Sequence, residues 1–278
     1  MKVRIITDST ADLRANLVDS VPFVPLTINF GEEEFVDNVT MSRKAFYEHL
    51  AVCKDLPKTS QPTPDAFEKE YKKAIAAGEK VIVLTISSKL SGTFQSASIA
   101  AMDYPDDVYV VDTRSAAIGV GILAELAYEL AKQGLDAEAI VAKLEEEKND
   151  LVLFAALDTL EYLVRGGRLS KVAGLAGGLL NIKPVITLKD GEIAVVGKAR
   201  GTKQANAMMN KEIAAAGGVN FHKPVLVGYT GLTDELLRKY VEESEAVFAG
   251  ANLDSTMISG AIGTHVGPGA YAVAYFKK

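Results

Sequence analysis

The stretch VIVLTISSKLSGT (residues 81–93) decides the fold class of this 278-residue chain. Its first six residues form a continuous apolar run, as expected of a strand that is covered on both faces of a parallel sheet. Polar residues and Gly92 follow, and the residues from Phe94 to Ala101 predict a helix. The stretch therefore predicts a strand, a short loop and a helix in direct succession, which is the repeating unit of α/β folds.

The same alternation extends outward from this stretch. Its members share either a short apolar run or helical spacing of apolar residues. The predicted strands are VRIITDS (residues 3–9), FVPLTINF (23–30) and VYVVDT (108–113), and the predicted helices cover residues 12–19, 42–52, 64 onward and 118–132. Asp136 is expected to cap the helix that follows. Alternation of this kind predicts a parallel sheet sandwiched by helices.

The charged run EEEKND (residues 145–150) is the best candidate for a domain boundary. After it, LVLFAAL restarts the strand pattern, and the turn KDGE (residues 189–192) predicts two paired strands. A helix over residues 202–216 and the strand PVLVGYT follow. We therefore predict two α/β domains. Residues 1–150 form a parallel sheet between helices, and residues 151–278 form a mixed sheet with helices.

Composition and charge argue against several classes of protein. The net charge is −6 and the pI is near 5.3, whereas nucleic-acid binding usually requires a basic face. No segment reaches the roughly 20 uncharged apolar residues of a membrane span, and Asp8 comes too early for a signal peptide. The single cysteine, Cys53, excludes an intramolecular disulfide and suits a reducing compartment. We expect a cytoplasmic protein that binds no nucleic acid and does not insert stably into a membrane.

Sequence signals for metals and nucleotides are weak. Three histidines and one cysteine give no metal-ligand spacing. The chain has no phosphate-binding loop of the form G-x-x-x-x-G-K-[ST] and no G-x-S-x-G nucleophile elbow. GVGILA (residues 119–124) resembles a dinucleotide fingerprint, but it begins seven residues after Asp112, inside a predicted helix. Its glycines therefore indicate close packing, and we expect neither a metal nor a cofactor.

The polar loop SSKLSGT (residues 87–93) is the strongest candidate site. It lies at the carboxyl end of a predicted strand, where ligands bind in parallel α/β sheets. Ser91 and Thr93 supply hydroxyl groups, and Gly92 allows close approach of the backbone. The start of the next helix adds free N–H groups that favour an anion. An anion site explains this pattern better than a capped helix start does, but phosphate, sulfate and carboxylate remain alternatives.

Four other segments each allow two interpretations. DSTAD (residues 8–12) caps a helix or lines the same crevice as the polar loop. TSQP (59–62), between two predicted helices, is a turn with an N-cap or a stiff loop that presents the Thr59 hydroxyl in a cleft. RGGR (165–168) turns its arginines inward or forms a solvated loop. GTHVGPG (263–269) surrounds His265 with glycine and proline, which makes a poor core and a plausible ligand loop.

Taken together, these motifs resemble the DegV family. The resemblance spans nearly the whole chain and rests on five motifs in the family's order and spacing. They are TDSTAD (residues 7–12), TSQP (59–62), ISSKLSGTFQSA (86–97), LEYLVRGGR (160–168) and GTHVGPGA (263–270). One departure is visible, because the family usually has Tyr-x-Asp-Gly where this chain has FVDN (35–38). Since Asn tolerates the positive φ of Gly, we expect the turn to survive.

Membership of that family implies two α/β domains that hold a long-chain fatty acid, such as palmitate, at or near their interface. It also implies that Thr59 and Ser91 bond the carboxylate, with Gly92 and Thr93 beside them. Arg165 and His265 match family positions near the head group. The resemblance further implies a carrier without catalytic residues, which presents the acid to the catalytic subunit of a separate fatty acid kinase.

Several predictions about the surroundings of the site are less direct. We expect Leu179 and Ile258 to line the tunnel for the acyl chain. Arg200, within the basic segment GKARGTK (residues 197–203), is a candidate contact for the kinase because a local basic patch steers a partner even on an acidic protein. Two alternatives stay open. One is a phosphotransferase or hydrolase that uses Ser91 and His265, and the other is a sensor or adaptor in which the lipid is structural.

Overall fold

A parallel sheet forms the first layer of the molecule. The computed structural model describes residues 2–169, 182–248, 250–251 and 253–278. Strands β1 (Lys2–Asp8), β2 (Phe23–Val24), β6 (Glu79–Thr85) and β7 (Val108–Asp112) lie in the order β2-β1-β6-β7, and all of them are parallel. The predicted parallel sheet is therefore confirmed.

Helices cover both faces of this sheet. Neighbouring residues of β1 point to opposite sides, since Ile6 packs with α2 (Pro64–Ala76) and α3 (Thr93–Ala101). Ile5 instead belongs to the core with α4 (Ile118–Lys132) and α5 (Ala137–Glu147). This alternation is the period of a strand that is buried on both faces. The side chain of Asp136 caps α5, as predicted, by accepting a hydrogen bond from the N–H of Ala139.

A small antiparallel sheet beside the first one corrects one prediction. Its strands are β3 (Thr27–Phe30), β4 (Glu33–Val36) and β5 (Lys58–Ser60), in the order β4-β3-β5, and α1 (Arg43–Leu50) packs nearby. FVPLTINF is not one strand, because the chain leaves the parallel sheet after β2 and pairs elsewhere as β3. Pro25, which has no N–H to donate to a ladder, lies at the break.

Two further local predictions are also corrected. TSQP is not only a turn between helices, since Thr59 and Ser60 end strand β5 and pair with β3. The helix predicted over residues 12–19 is a single 3₁₀ turn at Ala15–Leu17. Both corrections have the same cause, because short segments follow their tertiary neighbours rather than their own propensity.

A six-stranded mixed sheet forms the second layer and confirms that prediction. Its strands are β8 (Leu151–Ala156), β9 (Ile182–Lys189), β10 (Glu192–Arg200), β11 (Leu226–Tyr229), β12 (Ser255–Met257) and β13 (Tyr271–Phe276). Their order is β10-β9-β8-β13-β11-β12, and β11 and β12 are the parallel pair. The hairpin turn at KDGE is also as predicted, with positive φ at Asp190 and Gly191, as two-residue turns require.

The helices of the second layer are α6 (Glu161–Arg165), α7 (Gly201–Ala215), α8 (Glu235–Glu243), α9 (Glu245–Phe248) and α10 (Gly260–Val266). One apolar cluster joins the two layers, since Ile118 of α4 and Leu226 of β11 belong to it together. The two large sheets divide at EEEKND, although the boundary at residue 150 stays a prediction. Within the described ranges, no helix is long and apolar enough to cross a membrane.

Candidate functional site

A mostly apolar cavity lies between the parallel sheet and the mixed sheet. The space between its walls is about 870 Å³, including the part that is open to solvent. The parallel sheet contributes residues that follow β1 and β6, and the mixed sheet contributes the centre of its inner face. Aliphatic side chains supply most of the wall, among them Leu153, Ile186, Leu188, Ile193, Ile258 and Ile262.

A second cavity of about 860 Å³ adjoins the first, and we call it the vestibule. Its own walls include Leu56, Pro57, Lys58, Tyr162 and Arg165. The two cavities share Thr59, Arg168 and His265. Polar side chains therefore stand where the apolar cavity meets the vestibule.

Thr59 and His265 are in direct contact at this junction. Oγ1 of Thr59 lies 2.9 Å from Nε2 of His265, which brings β5 and α10 together. The prediction of a glycine–proline loop around His265 is wrong, because this residue lies in the last turn of α10. Burial and the nearby Arg168 guanidinium lower the pKa of His265 to about 4. The imidazole is therefore neutral at pH 7 and carries one hydrogen-bond donor and one acceptor.

Ser91 lies in the wall of the apolar cavity, at the predicted strand-to-helix loop. Its Oγ lies 2.8 Å from the hydroxyl of Thr93, which is buried. The Gln61 side chain packs directly on Gly92, since a Cβ there would lie 2.0 Å from Oε1 of Gln61. Gln61 in turn donates to the Ser96 hydroxyl in α3, which joins the segment after Thr59 to the helix after Ser91. Two motifs far apart in sequence thus form one polar surface.

The two arginines of RGGR have different environments. The Arg165 side chain is 64% exposed and pairs with Glu161 at 2.7 Å, on the outer side of the vestibule. Arg168 is half-buried, and it donates from Nε to the Leu90 carbonyl at 3.1 Å and from Nη1 to the Gly166 carbonyl at 2.6 Å. Burial lowers its pKa. Arg168, which the sequence did not single out, is the cation that lines both cavities.

The DSTAD segment lines the crevice rather than capping a helix through Asp8. Asp8 is fully buried and accepts hydrogen bonds from the N–H groups of Thr10 and Ile86, both at 2.8 Å. Burial raises its pKa. These bonds tie the end of β1 to the end of β6, and Thr10 reaches the cavity wall. Asp8 therefore stabilises the carboxyl ends of β1 and β6, where the polar residues of the site lie.

The other predicted residues fall in three groups. Ile258 lines the cavity, as expected. Leu179 lies outside the described residues. Arg200 is exposed at the end of β10, on neither cavity wall. The hypothetical nucleophile and base are engaged elsewhere, since Ser91 bonds Thr93 and His265 bonds Thr59.

Comparisons with known proteins agree with this geometry. The chain matches the DegV family, described as an uncharacterised protein family, over residues 2–278. A DegV domain-containing protein of Clostridium acetobutylicum is 34% identical, with the match covering 100% of this chain and 99% of that protein. A solved DegV family protein of Thermus thermophilus, described by its fatty acid binding, is 34% identical at a TM-score of 0.88 and covers 99% of this chain and 100% of its own.

A third relative adds a functional context. The Fatty Acid Kinase (Fak) B3 protein of Streptococcus pneumoniae, solved with linoleic acid, is 27% identical at a TM-score of 0.87, and the match covers 100% of both chains. The whole-length sequence match and the shared two-layer fold lead to one conclusion. This chain is a member of the DegV family.

Proposed function

We propose that the protein binds a long-chain fatty acid and presents its carboxylate to a separate acyl kinase. The observation that carries this proposal is the distribution of polarity in the cavity. Aliphatic side chains line most of it, and Thr59, Arg168 and His265 stand at its junction with the vestibule. A carboxylic acid with a long tail matches that arrangement, and the Thermus thermophilus relative supports it.

The acyl tail supplies most of the binding free energy. Palmitate has about 15 methylene and methyl groups, and burying each contributes about 0.8 kcal/mol, so the gross gain is about 12 kcal/mol. Aliphatic residues such as Ile186, Ile193 and Ile258 provide the matching surface. The tail therefore determines affinity, and the polar junction determines which end of the ligand faces the vestibule.

The carboxylate is held by one charge and several hydroxyl groups. Among the described residues, Nη2 of Arg168 has no protein acceptor, so it is available to a ligand oxygen. If neutral His265 donates from Nε2 to Thr59, the Thr59 hydroxyl proton is free to point at the ligand. The Ser91 hydroxyl faces the same cavity. Each such bond to a charged group contributes about 1.5–3 kcal/mol before desolvation is subtracted.

A carrier explains the site better than an enzyme does. Ser91 and His265 bond other residues, so the hydroxyl has no base in contact with it. The carboxylate would lie at the junction of the two cavities, where a phosphoryl donor held by another protein could reach it through the vestibule. The Streptococcus pneumoniae relative, a Fatty Acid Kinase B3 protein, gives this role a precedent. Arg200, exposed on the edge strand β10, remains our candidate for contact with the kinase.

Native mass spectrometry of the purified protein tests the carrier role most directly. We expect a co-purified C14–C18 fatty acid, and an empty protein with hydrolase turnover would contradict the proposal. Thr59→Ala and Ser91→Ala should each weaken binding by about 1–3 kcal/mol without loss of the fold. Normal affinity and normal presentation in both variants would remove these hydroxyls from the site.

The two arginines provide a matched test of the head-group geometry. Arg168→Ala should lose at least as much affinity as Thr59→Ala, because it removes the cation at the junction of the cavities. Arg165→Ala should change affinity by less than about 0.5 kcal/mol, as expected of an exposed ion pair. Equal losses in both variants, measured by calorimetric titration with palmitate, would place the carboxylate in the vestibule instead.

The predicted kinase contact has its own test. Arg200→Ala should leave palmitate affinity unchanged and slow the formation of acyl phosphate by the cognate kinase at low carrier concentration. Glu192→Ala, on the same exposed edge strand, is the control and should not slow the reaction. Normal kinase turnover with Arg200→Ala would exclude Arg200 from the docking surface and leave the carrier role intact.

A further inference from the structure

A buried charged cluster lies behind α10, at the end of the helix opposite His265. Asp12 and Asp37 are both almost fully buried, and the partly exposed Arg43 of α1 pairs with Asp12. Nη2 of Arg43 lies 3.3 Å from Oδ1 of Asp12. Burial raises the pKa of Asp12 to about 7 and that of Asp37 to about 6. Burying carboxyl groups in this way costs folding free energy, which the other interactions of these groups must offset.

The cluster holds the backbone at the start of α10. Oδ1 of Asp12 accepts a hydrogen bond from the N–H of Ser259 at 2.8 Å. Asp37 lies near the start of α10, where burial raises its pKa and the backbone N–H groups of Ala261 and Gly260 lower it in part. The first N–H groups of a helix have no partner within the helix, and the Asp12 side chain supplies one at Ser259, directly before α10. Asp12 therefore holds the backbone where α10 begins, and Asp37 lies close to the next two residues.

Helix α1 holds the residues that lead into α10. Arg43 donates from Nη1 to the Thr256 hydroxyl at 3.0 Å and to the Met257 carbonyl. Tyr47 donates its hydroxyl to the Ile258 carbonyl at 3.0 Å. The chain is thus held at successive residues before the helix starts, by side chains from the other half of the molecule.

Two glycines of α10 allow this helix to pack closely against α1. A Cβ at Gly260 would lie 2.9 Å from the Phe46 ring, and one at Gly263 would lie 2.7 Å from the Tyr47 hydroxyl. Within such close packing, a shift at the start of a short helix carries through to its last turn. That last turn carries His265, whose contact with Thr59 forms the junction of the two cavities.

We propose that Asp12, Asp37 and Arg43 are positioning residues that place His265 against Thr59 through the backbone of α10. This inference rests on the proposed function for its consequence in binding, but its geometry does not depend on a ligand. It also assigns a role to two motif residues that the cavity leaves unexplained. Asp12 ends TDSTAD, and Asp37 precedes Asn38, whose φ of 60° completes the FVDN turn.

The test compares two substitutions of one residue. Asp12→Ala removes the acceptor for the Ser259 N–H, whereas Asp12→Asn keeps an oxygen in the same place. The imidazole ¹⁵N signals of His265 are the direct readout, and the chain has only His49 and His222 besides. We expect Asp12→Ala to shift the His265 signals and to weaken palmitate binding about tenfold. Asp12→Asn should return the signals to their wild-type positions and bring the palmitate affinity to within about threefold of the wild-type value.

Controls separate positioning from general destabilisation. Asp19→Ala, at an exposed aspartate of the same N-terminal segment, should change neither readout. If Asp12→Ala does not fold, Tyr47→Phe replaces it, since it removes only the hydroxyl that bonds Ile258, and we again expect the His265 signals to move. Unchanged His265 signals in a folded variant would overturn the proposal. The signals are read without ligand, so failure of wild-type protein to bind palmitate would refute the proposed function alone.

Discussion

Gly166 provides the sharpest single test of the site. Its φ of −73° and ψ of −7° are helical, so alanine can adopt its backbone conformation. A Cβ there would lie 2.4 Å from Nδ1 of His265 and 3.0 Å from the carbonyl oxygen of Tyr162. Non-bonded heavy atoms rest about 3.5–4.0 Å apart, so the imidazole must move by about 1 Å or more. Gly166→Ala is therefore a steric probe of the position of His265.

The expected loss follows from the hydrogen bond that this movement breaks. His265 Nε2 and Thr59 Oγ1 lie 2.9 Å apart, and such bonds tolerate only a few tenths of an ångström. Losing the bond costs about 1 kcal/mol, and losing the orientation of the Thr59 hydroxyl toward a carboxylate costs up to about 2 kcal/mol more. We therefore expect palmitate affinity to fall by about 5- to 150-fold.

Gly167 is the matched control. Its φ is +72°, and nothing would lie within 4 Å of a Cβ there. Gly167→Ala should therefore cost about 1 kcal/mol of stability through backbone strain and leave the His265–Thr59 contact in place. Calorimetric titration gives the affinity, and thermal unfolding gives the stability. Wild-type affinity in Gly166→Ala, or an equal loss in both variants, would refute the role of His265.

Three further outcomes test the cavity, the packing and the buried acids. Ile258→Asp should lower palmitate affinity more than Thr59→Ala does, because it places a charge in the apolar wall, and normal binding would remove Ile258 from the tunnel. Gly121→Ala should destabilise the fold by about 3 kcal/mol in thermal unfolding, since its Cβ would lie 2.2 Å from the Asp12 carbonyl oxygen, and a neutral result would contradict close packing there. Asp12 should make the free energy of unfolding fall as pH rises from about 4 to 7, because the folded protein keeps a proton that the unfolded chain has released, and Asp12→Asn should remove that part of the slope.

Elements with strong local signals were predictable from the sequence. The apolar run at residues 81–86 and the polar loop after it form β6 and the approach to α3, at the carboxyl edge of a parallel sheet. The KDGE turn also forms as expected, because Asp190 and Gly191 both tolerate positive φ. In these segments, burial and turn chemistry favour the same structure that the tertiary fold requires.

Helix α10 was not predictable for a physical reason. Two of its seven residues are glycines that disfavour helix, Gly260 and Gly263. They are needed because α10 packs directly on Phe46 and Tyr47, and that contact is not visible in the local sequence. Strand β5 is similar, since three residues form a strand only by pairing with β3.

The sequence contains a feature that distinguishes the environments of Arg165 and Arg168. Glu161 and Arg165 are four residues apart, the spacing of an ion pair on the surface of a helix. Gly167 then reverses the chain with positive φ, which places Arg168 on the other side of the turn. Charge spacing therefore indicates that Arg165 faces outward, whereas the family resemblance had placed Arg165 near the head group.

The order of strands in the mixed sheet limits when this sheet can form during protein synthesis. Strand β13 comes last of the six along the chain, yet it lies between β8 and β11. On the ribosome, the sheet therefore cannot close before residues 271–276 have emerged, however early the parallel sheet folds. Ala272, within β13, also forms part of the cavity wall. A nascent chain thus has no complete cavity until this strand is in place, so under the proposed function it cannot enclose a lipid before then.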